Sequence, residues 1–205
     1  MLFRSVYTHF ATADEAGAEF AREQLAAFGD LRQRIRAAGL PVRRFHTANS
    51  AACFRVPEAC GEFDWVRPGI CLYGYWDGPI TERPSDLTPA MRVLSRIAAV
   101  RQMPAGQSVG YGRTFTTRRP SVIGVVPIGY ADGYRRALGN NAVMMLPGVR
   151  GQGDRVVPVV GRVSMDQTTV DLTDAGDVRP GDSVVVIDSI PVAANSVEAI
   201  ARALG

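Results

Sequence analysis

The spacing of apolar positions changes once along the chain. Over residues 1–80, short apolar runs alternate with stretches of helical period. Phe3 to Tyr7 reads as a strand. Thr12 and Glu15 have the spacing of a capping box, which predicts a helix over about 16–38. Its apolar face is Ala21, Leu25, Phe28, Leu31 and Ile35. Gly39 and Pro41 end it. Arg43 to Thr47 reads as a second strand, Asn49 to Ala52 opens a short helix, and Trp65 to Tyr73 forms a strand-and-loop piece. Strand, helix, strand in this order predicts parallel pairing with a right-handed crossover. Such strands carry their functional groups at their C-terminal ends. His9, Asn49, Ser50 and Arg67 fall there.

Beyond about residue 90 the pattern is nearly all strand. Val93–Val100, Ser121–Ile128, Ala142–Leu146, Arg155–Val163, Gln167–Leu172 and Ser183–Ile187 are separated by Gly, Pro, Asn and Asp clusters. This predicts an antiparallel barrel or sandwich, closed by a short helix over Ser196–Leu204. Gly78 to Pro89 holds Pro79, Pro84 and Pro89 and reads as the hinge. The expected organisation is an α/β region over 1–88 and an all-β region over 89–205. A full (β/α)₈ barrel needs about 250 residues, and the first region supplies only about three βα units. An open half-barrel exposes an apolar edge. Either a fragment or a second chain covering that edge is therefore expected.

Composition narrows the function. Hydrophobic content of 46% and charged content of 21% suit a soluble globular protein. A net charge of +3 gives no argument for nucleic acid. No apolar run is long enough to span a membrane, and the first residues lack a signal-peptide pattern, so a cytoplasmic location is expected. Cys53, Cys60 and Cys71 read as reduced thiols with no metal-ligand spacing. All 23 residues counted as Lys+Arg are arginine. No side chain here can form an imine with a carbonyl, because that needs a primary amine.

The chemistry concentrates in Pro127-Ile-Gly-Tyr-Ala-Asp-Gly-Tyr-Arg-Arg136. An apolar strand runs into Tyr130, set between two glycines, with arginines just beyond. A phenol is a poor base at its usual pKa of about 10 and becomes a useful one beside positive charge. Other groups have ordinary readings as well as functional ones. His9 suits a structural role. Asn49 and Ser50 suit helix capping or phosphate binding. Arg67, before Pro68 and Gly69, suits an anion or plain solvent. Met165 suits a core, and Asp166, near Arg162, suits a turn.

Six segments taken together are more specific. Tyr7-Thr-His-Phe-Ala-Thr-Ala-Asp-Glu15, His46-Thr-Ala-Asn-Ser-Ala-Ala52, Val66-Arg-Pro-Gly-Ile-Cys-Leu-Tyr-Gly74, Val109-Gly-Tyr-Gly-Arg-Thr-Phe115, the Tyr130 segment and Val160-Gly-Arg-Val-Ser-Met-Asp-Gln167 occur in the order and spacing of alanine racemase. The chain resembles the rear half of that family: the last units of its pyridoxal 5'-phosphate barrel, then its β domain. The resemblance implies interconversion of L- and D-alanine, which supplies D-alanine for peptidoglycan, with the cofactor as electron sink. Tyr130 matches the tyrosine that serves one face of the α-carbon, opposite a lysine. His9 matches the histidine packed by the cofactor, which helps link that tyrosine to an arginine. Arg67 matches the arginine at the pyridine nitrogen, which keeps that nitrogen unprotonated. Ser50, Gly69 and Ile70 match the phosphate cradle, with Asn49 beside them. Met165 matches the residue whose backbone meets the substrate carboxylate, with Asp166 and Arg162 as neighbours. The resemblance also implies a head-to-tail homodimer, in which Tyr130 and Met165 serve the partner's cofactor.

The family's lysine-bearing N-terminal part and its extreme C-terminus have no counterpart here. The 205-residue chain alone is therefore expected to bind pyridoxal phosphate non-covalently at best and not to racemise. A lysine-bearing half supplied separately would complete it. The alternatives are a non-catalytic remnant or dimerising module, a related amino-acid racemase, and a fold-type III decarboxylase. Decarboxylases of that type pair the pyridine nitrogen with an acidic residue, where this sequence has Arg67.

Overall fold

The computed structural model describes residues 4–148 and 153–205, which form two compact units that divide between Ala90 and Met91. In the first unit, β1 (Ser5–Tyr7) pairs with β2 (Arg44–His46) in parallel, with Tyr7 opposite His46. Phe3 lies outside the described residues. The crossover is α1 (Glu19–Ala37), which buries Ala21, Leu25 and Phe28 as its period requires. Leu31, placed on that face by the sequence, is exposed at the margin. The start of α1 corrects a second expectation. Thr12 and Glu15 close a turn, with the Glu15 amide donating to the Thr12 carbonyl, and form no capping box. Helix begins at Glu19, after Ala18 in a left-handed conformation with no side-chain cap. Gly39, at φ +67°, ends the helix as expected.

Two short helices follow, α2 (Ser50–Arg55) and α3 (Glu58–Gly61). Asn49 caps α2: its Oδ1 accepts from the Ala52 amide at 3.0 Å. The Trp65–Tyr73 segment is not a full strand. Trp65 makes one parallel bridge to His46, and Ile70–Tyr73 is a 3₁₀ turn, because Pro68 and Gly69 interrupt extension. Phe28, Phe45 and Phe63 meet in the core with the alanines of α1 and α2.

Every strand pair of the second unit is antiparallel. Its elements are β3 (Val93–Arg96), β4 (Ala99–Met103), β5 (Ser108–Val109), β6 (Phe115–Thr116), β7 (Ser121–Val126), β8 (Val143–Leu146), β9 (Arg155–Pro158), β10 (Thr168–Asp171), β11 (Ser183–Ile187) and α4 (Val197–Leu204). Sheet order is β10-β7-β4 in one sheet and β3-β11-β8-β9 in another, with a small β5-β6 hairpin. A bridge from Val159 to Val170 ties the two larger sheets together. The run Val93–Val100 is two strands, not one. Ile97 turns inward between them, hydrogen-bonded to Asp182 and Gly181, and sends the chain from one sheet to the other. Arg155–Val163 likewise ends as a strand at Pro158. Val126, Met144, Val157, Val170, Val184 and Val186 fill the core, and α4 packs Ile200 and Leu204 on it. No described helix is long and apolar enough to cross a membrane.

Candidate functional site

The sequence-selected residues fall into two groups, one in each unit. In the first unit the centre is Arg67. Its amide donates to the Ala48 carbonyl, which aligns it with the end of β2. Its Nη2 donates to the Thr8 carbonyl (2.9 Å), the Thr47 carbonyl (3.0 Å) and His9 Nδ1 (3.2 Å). Its Nη1 donates to His46 Nδ1 at 2.7 Å. The guanidinium also lies 5.0 Å from the centre of the Tyr7 ring, a cation–π distance. These acceptors come from the C-terminal ends of β1 and β2, which the parallel register sets side by side.

His46 was quoted in a sequence motif but given no role. Because Arg67 donates to its Nδ1, its Nε2 carries the proton and donates to Ser5 Oγ at 3.2 Å. Burial pulls the His46 pKa below its ordinary value, the Arg67 charge pulls it the same way, and Asp64 acts against them. Neutral imidazole is thus the native form. Tyr7 stacks on it at 5.3 Å and 15°. Burial also lowers the Arg67 pKa, with Tyr7 opposing, but a guanidinium remains protonated near neutrality.

Ser50, Gly69 and Ile70 stand together nearby in the chain. The buried Ser50 Oγ accepts from the Gly69 amide at 2.8 Å and the Cys71 amide at 3.4 Å. Among the described residues, neither the Ser50 hydroxyl proton nor the Ile70 amide has an acceptor. Two free donors beside the first turn of α2 suit an anion.

In the second unit the centre is Tyr130. Strand β7 ends, and the chain makes a 3₁₀ turn over Tyr130–Asp132. The Tyr130 amide donates to the Ser164 carbonyl (3.0 Å), and the Ala131 amide to the Met165 carbonyl (2.9 Å). Asp132 Oδ2 accepts from the Gly129 amide at 2.9 Å. Gly129 is required by space: a Cβ there would lie 2.4 Å from the carbonyl oxygens of Ser164 and Met165. The phenol is held at an open position, 47% exposed, in a cleft of 330 Å³. The cleft is lined by Tyr111, Tyr130, Arg136, Val163, Ser164 and Met165. Tyr111 and Arg136 were not singled out as site groups by sequence, although both stand in quoted motifs. Arg162 packs against the Gly110–Gly112 turn that carries Tyr111, and Asp166 is exposed next to Met165. Among the described residues no cluster of His, Cys, Asp and Glu has metal-holding geometry.

Comparison with known proteins matches the chain to one family. Residues 90–205 match the family model "Alanine racemase, C-terminal domain", and residues 1–77 match "Alanine racemase, N-terminal domain". An alanine racemase of Desulfosudis oleivorans is 42% identical over 200 residues, covering 97% of this chain and 49% of that protein. The solved alanine racemase of Streptomyces coelicolor A3(2) superposes with a TM-score of 0.85 at 35% identity, covering 98% of this chain and 51% of that one. The alanine racemase of Bartonella henselae, solved with covalently bound pyridoxal phosphate, gives 0.78 at 33% identity, covering 98% of this chain and 51% of that one. The chain spans about half the length of the curated relatives it matches. It belongs to the alanine racemase family.

Proposed function

We propose that this chain supplies one half of the machinery of an alanine racemase, with residues 1–88 as part of the pyridoxal-phosphate barrel and 89–205 as the β domain. The observation that carries the reading is Tyr130: a phenol fixed by backbone bonds in an open cleft with a cationic wall. The group moves a proton at its hydroxyl, to or from the α-carbon of alanine. The working assembly is a head-to-tail dimer in the cytoplasm. Tyr130, with Met165, Asp166 and Arg162 around its cleft, serves a barrel of the partner.

The first unit fits pyridoxal phosphate by the chemistry of its donors. The free Ser50 hydroxyl and Ile70 amide, with Gly69 held on Ser50 and Asn49 capping the same helix, would take the phosphate. Arg67, its other bonds already spent on His9, His46 and two carbonyls, would present a guanidinium to the pyridine nitrogen. The cofactor supplies an electron sink for charge at the α-carbon when bound. The residues of this chain bind and orient it. His9, hydrogen-bonded to Arg67, sets the polarity of that edge of the site. An arginine rather than a carboxylate at this position favours racemisation over decarboxylation.

The 205 residues include no primary-amine side chain, so the polypeptide alone is expected to show no racemisation near enzymatic rates. The test is L- to D-alanine conversion by purified protein with pyridoxal phosphate, alone and with a separately expressed lysine-bearing first half of a relative. Conversion should need both pieces. Tyr130→Phe should then lower it by about a hundredfold or more, the usual worth of a proton-transfer group. Full activity of the Phe variant would end the reading.

A further inference from the structure

Three thiols of the first unit converge on α2, and none has a task in the reading above. Cys53 lies on α2, Cys60 on α3 and Cys71 in the 3₁₀ turn Ile70–Tyr73. Helix α2 touches both of the other elements. All three cysteines are unbridged and partly buried. The Cys53 thiol is hydrogen-bonded to that of Cys60, with Cys71 close by. Cys60 Sγ also stands 4.0 Å from the Cys53 carbonyl oxygen. Both backbones are pinned. The Cys53 amide donates to the Asn49 carbonyl at 3.1 Å, and the Cys60 amide to the Pro57 carbonyl at 3.0 Å. Both side chains pack at the margin of the phenylalanine and alanine core. There a small reagent can still reach them.

Two chemistries suit neighbouring thiols: a soft metal and oxidation. Among the described residues the cluster lacks metal-holding geometry. Burial pushes the Cys53 pKa up to about 12, and Cys60 and then Cys71 add to it. Metals bind thiolates, and Cys53 holds its proton at neutral pH. Oxidation needs only that two sulfurs can meet. We propose that Cys53 and Cys60 form a reversible disulfide, a redox-sensitive modification site on the helix that carries Ser50. The co-reactant is a small-molecule disulfide of the glutathione type. The Cys60 thiolate attacks one of its sulfurs and expels the first small thiolate. Cys53 then gives up its proton to water and attacks the Cys60 sulfur. The protein S–S bond forms as the second small thiolate leaves. Two protein thiols are oxidised, and one external disulfide is reduced to two thiols.

The bridge acts beyond its own sulfurs. A disulfide holds them about 2.05 Å apart, closer than unbonded thiols come, so α2 and α3 draw together. Cys53 lies one turn along α2 from Ser50, whose Oγ holds the Gly69 and Cys71 amides. Closing the bridge should therefore move those two amides. This goes beyond the racemase reading and needs neither cofactor nor turnover to test.

The experiment equilibrates the 205-residue protein in buffers of varied reduced-to-oxidised glutathione ratio, followed by acid quench, thiol alkylation and peptide mapping. A Cys53–Cys60 bridge within one chain is expected in most molecules at the oxidised end, reversed by excess reduced glutathione, with Cys71 still alkylated. Cys71→Ser should leave the bridge in place. Cys60→Ser should abolish it and leave Cys53 as a free thiol. Amide NMR of the oxidised parent should show the Gly69 and Cys71 signals displaced, and the same treatment of Cys60→Ser should not displace them. A bridge from Cys53 to Cys71, glutathione adducts without a bridge, or a bridge only between chains overturns the proposal. A Cys53–Cys60 bridge that leaves the Gly69 and Cys71 amides unmoved overturns the link to Ser50. Failure of the complementation assay, with the bridge forming as expected, would count against the racemase reading alone.

Discussion

The two units hold their key side chains in opposite ways. In the first, Arg67 is fixed through its own guanidinium, which spends its donors on four acceptors from two strand ends. In the second, Tyr130 is fixed only through its backbone, and its hydroxyl bonds to nothing among the described residues. The first arrangement locks a charge in one orientation. The second leaves a hydroxyl free while removing freedom from the chain beneath it. A group that must set a field is best immobilised at its charged end. On the proposed reading Tyr130 trades protons, and a group with that task is best immobilised at its root.

That contrast can be broken most severely at Gly129. Gly129→Val would drive a side chain into the Ser164 and Met165 carbonyls and break both bonds that hold the turn. The second unit should lose about 3 kcal/mol, the upper end of the usual cost of overpacking, in a urea titration. The first unit should unfold as before. Arg67→Met comes next. It leaves His46 Nδ1 and two carbonyls without their donor, and should cost the first unit about 2–3 kcal/mol by the same measurement. The same change sharpens the account of His46. With Arg67 gone, the charge that helps depress its pKa goes too, and His46 should titrate closer to an ordinary histidine.

The smallest effect is a pH dependence. The folded His46 pKa lies below the unfolded one, so the unfolded chain binds the extra proton first. The first unit's stability should hold above the ordinary histidine pKa and decline as pH falls through it. The chain has only two histidines, His9 and His46, so proton NMR can follow each imidazole separately.

Much of this was legible in the sequence, for local reasons. The Tyr130 segment declared itself because a strand ending between glycines leaves few alternatives. The buried face of α1 followed from its period at Ala21, Leu25 and Phe28. What stayed hidden depended on distant pairing. His46 meets Arg67 only because the segment from Trp65 to Arg67 runs alongside the end of β2, which no motif states. The break at Ile97 was invisible because apolar spacing continues smoothly while the chain changes sheets. The start of α1 was misplaced because Ala18 begins it in a left-handed conformation that its residue type does not advertise. Tyr111 and Arg136 were in view as letters, but their shared cleft is a product of folding.

The turn beneath Tyr130 leans on the carbonyls of positions 164 and 165, not on what those residues carry outward. Ser164 and Met165 can therefore be exchanged for other types with little disturbance to where the phenol stands. An engineer could recarve the wall of the cleft while the Tyr130 hydroxyl keeps its address, because the scaffold reads only atoms that every residue shares.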